Sequence, residues 1–349
     1  MAAIHHVSAD NLEVFITKLY EEAGMDREEA KYHAYGLVKA SLRGVDSHGV
    51  MRTRAYLDRI RNGAINVSPN IRPVGGVRAM LELDADRASG FTAGHAGMTK
   101  AVELAREYSV GLVLVKNSNH FGAAALYAQI AVDAGMVGIA TTNVKPLMAA
   151  PGAAGQVTGN NPFAIGIPTY NNFPFMLDMA LSVVAGGKLK DAIARNVKIP
   201  LDWAVDRNGN PTDDPQKGFD GYLLPAGGFK GLGIAHAIDI LCGVMSGGAF
   251  QDHIKSMYKN PLDSSETCHL FLALNICGLI DKEAISQRMA EYRSYLQSIP
   301  TVSGKPLVLP GEPESACCEN RRREGIPLPE KVYQDLKSLA EHYQIPCPF

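Results

Sequence analysis

Three side chains suited to acid/base or anion-binding chemistry recur at intervals of four, His48, Arg52 and Tyr56, directly after the break R-G-V-D-S. Steps of four residues at ~100° per residue drift by only ~40°, so the three are predicted to share one helical face. That face offers a titratable base, a forked cation and a phenol. It suits a small carboxylate substrate and it equally suits solvent, so the spacing alone leaves both interpretations open.

A second histidine stands in S-N-H-F-G, residues 118–122, immediately after a predicted strand over 110–115. Loops at strand ends, held by a rigid sheet, are where catalytic side chains concentrate. Flanked by short polar residues and a glycine, His120 is well suited to acid/base work near neutral pH. The alternative is a histidine that caps the next helix or is hydrogen-bonded within the loop.

The stretch A-G-G-F-K-G-L-G, residues 226–233, combines glycines, Lys230 and a predicted helix N-terminus just beyond. Such a combination can cradle a phosphate. It is neither the dinucleotide fingerprint, because His236 stands where the third glycine belongs, nor a P-loop. The alternative is a glycine turn that packs a helix closely on the sheet.

Other polar residues lie at predicted strand ends. Asp178 in L-D-M-A fits a contact to a sugar hydroxyl or an amide, and it equally fits a cap for the following helix. The sequence contains no G-x-S-x-G elbow, no H-E-x-x-H and no paired Cys/His signature. Transfer chemistry with a bound cofactor therefore fits this set of residues better than covalent catalysis.

Composition excludes several classes of protein. The chain has 349 residues, 46% hydrophobic and 20% charged, which is ordinary for a globular protein with a large core. A net charge of −2 gives no electrostatic reason to expect nucleic acid or an anionic membrane as partner. No apolar run reaches ~20 residues and the N-terminus lacks a secretory signal, so we expect a cytoplasmic protein that spans no membrane.

The six cysteines form no C-x-x-C pair and are expected to be reduced thiols. The vicinal pair Cys317–Cys318 has no partner at ligand spacing, so no metal site is predicted.

Hydrophobic periodicity predicts a mixed α/β fold, with helices at both chain ends. Ser8, Asp26 and the pair Asp46–Ser47 are expected to cap three helices within the first 62 residues. Strands are predicted at 79–84, 110–115, 136–142, 162–168, 174–180 and 269–275, and helices at 93–107, 122–134, 230–245, 281–298 and 329–342. Residues 305–313 and 321–323 are expected to be exposed connections.

A set of ordered motifs resembles the malate/L-lactate dehydrogenase family that lacks a Rossmann domain. The resemblance runs from about Ser8 to Leu339. Its carriers are G-V-D-S-H-G-V-M-R with Tyr56, N-S-N-H-F-G, T-T-N with Pro146, N-N-P-F-A, L-D-M-A, the block D-W-A-V-D-R-N-G-N-P-T, L-P-A-G-G-F-K-G-L-G, L-P-G-E and R-R-R-E-G-I. Members of this family include ureidoglycolate, sulfolactate and diketogulonate oxidoreductases and cyclic-imine reductases.

The resemblance implies a homodimer that binds NAD or NADP, with NAD favoured, on a mixed, largely antiparallel sheet. It also implies a discontinuous helical domain for substrate binding and dimerisation, residues 1–72 with 280–349. Residues 73–279 would form the cofactor-binding domain. The expected partner is a small carboxylate substrate.

Site residues carry over by motif. His120 matches the general acid/base, and the substrate-facing residues are Ser47, His48, Arg52 and Tyr56. The cofactor-binding segments contribute Asn143, Val144, Asp178, Met179, Ala180, Lys230 and Gly231. On this interpretation Arg52 holds the substrate carboxylate in paired charge-assisted hydrogen bonds, while His120 takes the 2-hydroxyl proton as hydride leaves C2.

Two departures from the family pattern bear on the substrate and the cofactor. Val144 replaces a small polar residue, and Lys145 aligns with an aspartate of the ureidoglycolate enzymes. A lysine there favours a second acidic group, so malate or a sulfonate analogue is the expected substrate. P-G-A-A-G, residues 151–155, lacks an aromatic residue that is common after its proline.

Two other functions stay open at this stage. One is reduction of cyclic imino acids such as pyrroline- or piperideine-2-carboxylate, again with the carboxylate held by Arg52. The other is a catalytically silent metabolite-binding protein.

Overall fold

The computed structural model describes residues 3–171 and 173–349, which contain eleven α-helices and thirteen β-strands. The helices are α1 Ala9–Glu22, α2 Arg27–Leu42, α3 Thr53–Arg61, α4 Gly90–Tyr108, α5 Ala125–Asp133, α6 Gly186–Ala194, α7 Pro215–Asp220, α8 Phe229–Asp239, α9 Lys282–Ser298, α10 Glu312–Glu324 and α11 Glu330–Tyr343. The strands are β1 Ile4–Val7, β2 Arg72–Val77, β3 Met80–Asp84, β4 Val110–Ser118, β5 Val137–Thr142, β6 Met148–Ala149, β7 Gln156–Thr158, β8 Phe163–Ile167, β9 Phe175–Met179, β10 Ala204–Val205, β11 Tyr222–Leu223, β12 Thr267–Leu274 and β13 Ile326–Pro329.

A seven-stranded sheet in the order β2-β3-β4-β12-β5-β8-β9 forms the centre of the molecule. Only β3 and β4 run parallel, and every other neighbouring pair is antiparallel. The continuously apolar character of β4 and β12 fits strands covered on both faces, and β12 is almost entirely buried. The predicted mixed, largely antiparallel sheet is therefore confirmed.

The two chain ends come together. Strand β1 pairs antiparallel with β13, with Val7 opposite Ile326. Helix α11 packs on α1 and α3, and α10 packs on α2. Buried residues of α1, α2, α3, α11 and the central sheet belong to one hydrophobic core. The division of the chain at residues 72 and 280 stays a prediction.

Asp26 caps α2 as predicted, since its Oδ1 accepts a hydrogen bond from the Glu28 amide at 2.9 Å. Ser8 stands at the N-cap position of α1 but makes no capping hydrogen bond with its side chain.

The predicted third helix is wrong in its first part. Two 3₁₀ turns, Asp46–His48 and Val50–Arg52, precede α3. Gly49 separates them in an extended conformation, and a Cβ there would lie 2.0 Å from Ser41 Oγ. The His48, Arg52 and Tyr56 side chains therefore do not lie along one regular helical face.

The predicted connection at 321–323 is also wrong, because these residues form the last turn of α10. Arg321 donates to both carboxylate oxygens of Asp46, at 2.6 and 3.0 Å. The Asp46 carboxylate therefore forms an ion pair with Arg321 and does not cap a helix as predicted.

Among the described residues no helix combines the length and the apolar character needed to cross a bilayer. Nor do the side chains of residues 3–171 and 173–349 include a His/Cys/Asp/Glu cluster that could hold a metal ion.

Candidate active site

A cavity of about 290 Å³ lies where the loop after β4 meets the start of α5 and the end of β9. This volume suits a small ligand or the reactive end of a larger one. The predicted site residues among its lining are Ser47, His48, His120, Val144, Asp178, Met179 and Ala180. Residues predicted to face the substrate and residues predicted to bind the cofactor thus line one cavity.

The loop that carries His120 is fixed by its neighbour Asn119, which is buried. Asn119 Nδ2 donates to the carbonyl oxygens of Arg87 and Ala88, both at 3.0 Å. Its Oδ1 accepts from Arg59 Nη2 at 2.9 Å. Because the Asn119 side chain is held on both sides, the imidazole of the next residue has a defined position at the cavity wall.

Tyr56 lies behind His120 and is also buried. Its Oη is 2.6 Å from His120 Nδ1, and the Gly122 backbone N–H donates to the same nitrogen at 3.4 Å. A backbone N–H can only donate, so Nδ1 must accept, and the neutral ring then carries its proton on Nε2. Tyr56 therefore donates its hydroxyl proton to Nδ1 in this arrangement.

Both histidines of the cavity are neutral near pH 7. Burial, and then the charges of Arg52 and His48, lower the pKa of His120 well below 6.5. Burial, and then Arg52, lower the pKa of His48 to about 4. The two rings are nearly parallel, at an angle of 19°, with their centroids 5.7 Å apart. A charge on either ring is therefore opposed by burial and by a neighbouring cation.

Arg52 does not line the cavity itself but is bonded to a residue that does. Its Nε donates to the Ser47 carbonyl oxygen, and Ser47 Oγ lies 3.0 Å from His48 Nδ1. Arg52 Nη1 donates to Tyr258 Oη at 2.7 Å. The guanidinium makes no ion pair within the described part of the chain.

The Asp178 carboxylate does not cap the helix that follows it in the chain but accepts a hydrogen bond at the start of α5. Its Oδ2 accepts from the backbone N–H of Ala125, the first residue of α5, at 3.1 Å. The Asp178 carboxyl group opens onto the cavity. Its burial among protein atoms raises its pKa to about 6, and the nearby negative charge of Glu314 contributes to this increase. Met179 and Ala180 follow it along the cavity wall.

Asn143 is buried and its side chain is fully engaged by protein groups. Its Nδ2 donates to Asp239 Oδ1 at 3.0 Å and to the Ala249 carbonyl at 2.9 Å. Its Oδ1 accepts from the Cys268 N–H at 2.8 Å. Asn143 thus braces the turn from inside, and Val144 is the residue of this turn that reaches the cavity.

Lys230 and Gly231 lie outside the cavity lining, at the start of α8. The turn before them lies close to the segment just after β9, because the Ala226 N–H donates to the carbonyl of Leu181, which follows the lining residue Ala180, at 2.9 Å. A Cβ on Gly231 would lie 2.0 Å from the Ala226 carbonyl oxygen, so this glycine permits close packing. Gly227 and Gly228 have open space around them, as a ligand cradle requires.

Sequence reasoning missed several residues of the site. Arg43, Thr267 and Glu314 line the cavity. Thr267 Oγ1 and Glu314 Oε2 are buried and have no hydrogen-bond partner among the described residues. Such atoms fit a ligand that offers both donors and acceptors, as a nicotinamide carboxamide does. Glu314 follows the L-P-G-E motif by two residues, which is the only signal that the sequence offered for it.

A family model for malate/L-lactate dehydrogenase matches residues 7–337. The chain is 37% identical over 347 residues to malate dehydrogenase of Pyrococcus horikoshii, covering 96% of this chain and 94% of that protein. It is 34% identical over 350 residues to ureidoglycolate dehydrogenase (NAD(+)) of Escherichia coli K12, covering 98% and 99%.

The fold agrees with these matches. The crystal structure of malate dehydrogenase from Entamoeba histolytica resembles this one with a TM-score of 0.93 at 29% identity, over 99% of this chain and all of that one. Over nearly its whole length, the chain belongs to the malate/L-lactate dehydrogenase family.

Proposed function

We propose that this chain is a nicotinamide-dependent dehydrogenase that transfers a hydride between the cofactor and C2 of a small 2-hydroxy or 2-oxo acid. The observation that carries the proposal is the neutral His120 at the cavity wall, held from behind by Tyr56 at 2.6 Å. Family membership supports the same reaction class. NAD is favoured over NADP, and a relative whose name specifies NAD(+) supports that choice.

The cofactor would be held by the cavity-lining residues Val144, Asp178, Met179 and Ala180 and by the Lys230–Gly231 turn. Asn143 would act by bracing the Val144 turn. When bound, a nicotinamide dinucleotide supplies or accepts the hydride. The unpaired Thr267 Oγ1 and Glu314 Oε2 are available to its polar groups. The exposed ammonium of Lys230, beside open glycines, suits a phosphate.

His120 would handle the proton. In reduction of an oxo acid, Nε2–H donates to the carbonyl oxygen and gives up its proton as the alkoxide forms. The Tyr56 hydroxyl, already directed at Nδ1, gives its proton to that nitrogen in the same step, and the phenolate left on Tyr56 takes up a proton from water before the next turnover. Oxidation is the reverse step: Nε2 takes the hydroxyl proton of the substrate as the Nδ1 proton returns to the Tyr56 oxygen, so the resting ring is again protonated on Nε2.

Arg52 would bind the substrate carboxylate. Its Nε is occupied by the Ser47 carbonyl, so the carboxylate would take the edge formed by Nη1 and Nη2. Ser47 connects this guanidinium to His48, whose neutral ring lies beside His120. His48 would thereby orient the hydroxyl or carbonyl at C2.

Lys145 supports a substrate with a second acidic group. It follows Val144 of the cavity wall and is half-buried, with no hydrogen-bond or ion-pair partner among the described residues. A half-buried ammonium without a counterion favours an anion nearby. Malate-like acids are therefore the proposed substrates.

Assay of 2-oxo acids and cyclic imines with NADH and NADPH tests the function. We expect turnover of oxaloacetate above pyruvate, with NADH preferred. The Lys145→Met variant should lower the preference for oxaloacetate about fivefold, since a partly exposed charge–charge contact contributes about 1 kcal/mol. Steady-state kcat/KM for each pair of substrates is the measurement.

Lys331→Met, an exposed lysine on α11, is the matched control and should leave the preference unchanged. An unchanged ratio in Lys145→Met removes the argument for a second acidic group. Turnover of cyclic imines without 2-oxo acids favours imine reduction instead, and failure to bind either reduced cofactor favours a metabolite-binding protein.

A homodimer is part of the proposal. Helix α8 and the π-helical turns after it expose an unusual set of large apolar side chains: Phe229, Ile234, Ile240, Leu241, Val244 and Met245. An apolar surface of this kind is typical of a subunit contact. Sedimentation velocity should give twice the 37.5 kDa chain mass, and a monomer would contradict this assignment. The cytoplasmic location stays a prediction.

Replacing Tyr56 with Phe should lower kcat by about 10²-fold in both directions, because His120 loses the partner that fixes and recharges Nδ1. Tyr20→Phe is the matched control, since Tyr20 is equally buried but its hydroxyl has no partner among the described residues. That variant should retain kcat within about threefold. Equal losses in the two variants would show that Tyr56 serves packing alone.

A further inference from the structure

Tyr258 is an exposed tyrosine fixed against the proposed carboxylate-binding arginine. Its side chain is 69% exposed, yet its Oη accepts from Arg52 Nη1 at 2.7 Å. It lies in the Tyr258 loop, residues 255–266, which leads into β12. No sequence motif indicated that this loop belongs to the site.

The loop is anchored by the buried Arg59, on either side of Tyr258. Arg59 Nη1 donates to the Met257 carbonyl at 3.4 Å, and Nη2 donates to the Asp263 carbonyl at 2.9 Å. The same Nη2 contacts Asn119 Oδ1 at 2.9 Å, directly before His120. One guanidinium therefore holds both the Tyr258 loop and the loop of the proposed acid/base, so their relative position is fixed.

The unused hydrogen-bond donors of Arg52 and Tyr258 indicate what these two residues can bind. Nε is used by Ser47, and one of the two Nη1 hydrogens is used by Tyr258. The second Nη1 hydrogen and both Nη2 hydrogens have no acceptor among the described residues. Because the Tyr258 oxygen is the acceptor in its bond to Arg52, its own hydrogen is also free to donate.

We propose that Tyr258 is a substrate-binding residue whose hydroxyl, together with the Arg52 guanidinium, holds the carboxylate of the substrate. A carboxylate on the Nη1–Nη2 edge of Arg52 has acceptor sites left for a further donor beside Nη1, which is where the phenol lies. The inference rests on the proposed function and adds to it a residue that selects acids over uncharged carbonyl compounds.

The test compares Tyr258→Phe with Tyr295→Phe, a control tyrosine on α9 that is 68% exposed. KM and kcat are measured for pyruvate and for methyl pyruvate with saturating reduced cofactor. We expect Tyr258→Phe to raise KM for the acid about tenfold, with kcat nearly unchanged, because a hydrogen bond to a charged group is lost. KM for the ester should not change, and the Tyr295→Phe variant should match the parent on both compounds.

Three results for Tyr258→Phe overturn the inference. KM for the acid could stay unchanged, or KM for acid and ester could change equally. KM for the acid could also fall, which would show that Tyr258 competes with the substrate for Arg52. Calorimetric binding of oxamate to the parent and both variants, with and without reduced cofactor, separates this inference from the proposed function. A parent that binds oxamate but reduces no 2-oxo acid contradicts the function only, and weaker oxamate binding in Tyr258→Phe alone still supports the role of Tyr258. Absence of any oxamate binding by the parent contradicts the role of Tyr258.

Discussion

The hydrogen bond between Tyr56 and His120 is the interaction on which the site depends. Both atoms lie inside the protein, at 2.6 Å, where a lost partner is costly. Tyr56 lies in the first turn of α3, and His120 lies in the loop directly after β4, so the two elements together bring these side chains into contact. The Asn119 and Arg59 side chains then fix that loop from the other side. Helix α3 and the loop after β4 thus hold the Tyr56–His120 pair from both sides.

Charge is arranged around the pair in a simple way. Two imidazoles are kept neutral by burial and by nearby guanidinium groups, so positive charge is carried by arginines, which do not titrate. Arg52 has no carboxylate partner among the described residues, which supports its proposed role in binding a substrate anion. Asp178 and Glu314 lie together in another part of the lining, with Arg43. In the proposed mechanism, proton transfer and anion binding would thus fall to different side chains.

Much of this was predictable. The periodicity of apolar residues located the helices α2, α4 and α11 and the strands β4, β5 and β12, and a strand-end histidine pointed to His120. The spacing of four failed as a helical argument, because Gly49 and the Asp46–Arg321 ion pair replace the first helical turns. Ion pairs between distant segments leave no periodic trace in a sequence. Nor does the sequence show that Arg59 connects Asn119 with the Tyr258 loop, since those contacts span about 60 to 200 positions. Very short strands such as β6 and β10 have too few residues for a period to be read.

The central claim is that His120 rests as a neutral ring protonated on Nε2 and accepting at Nδ1. Nitrogen-15 NMR of histidine-labelled protein measures this directly, with His120→Gln used to assign the signal. We expect a protonated Nε2, an unprotonated Nδ1 and no titration of this ring between about pH 6 and 8, because its pKa lies well below 6.5. A ring protonated on Nδ1, or one that titrates with a midpoint near 6.5, would contradict it.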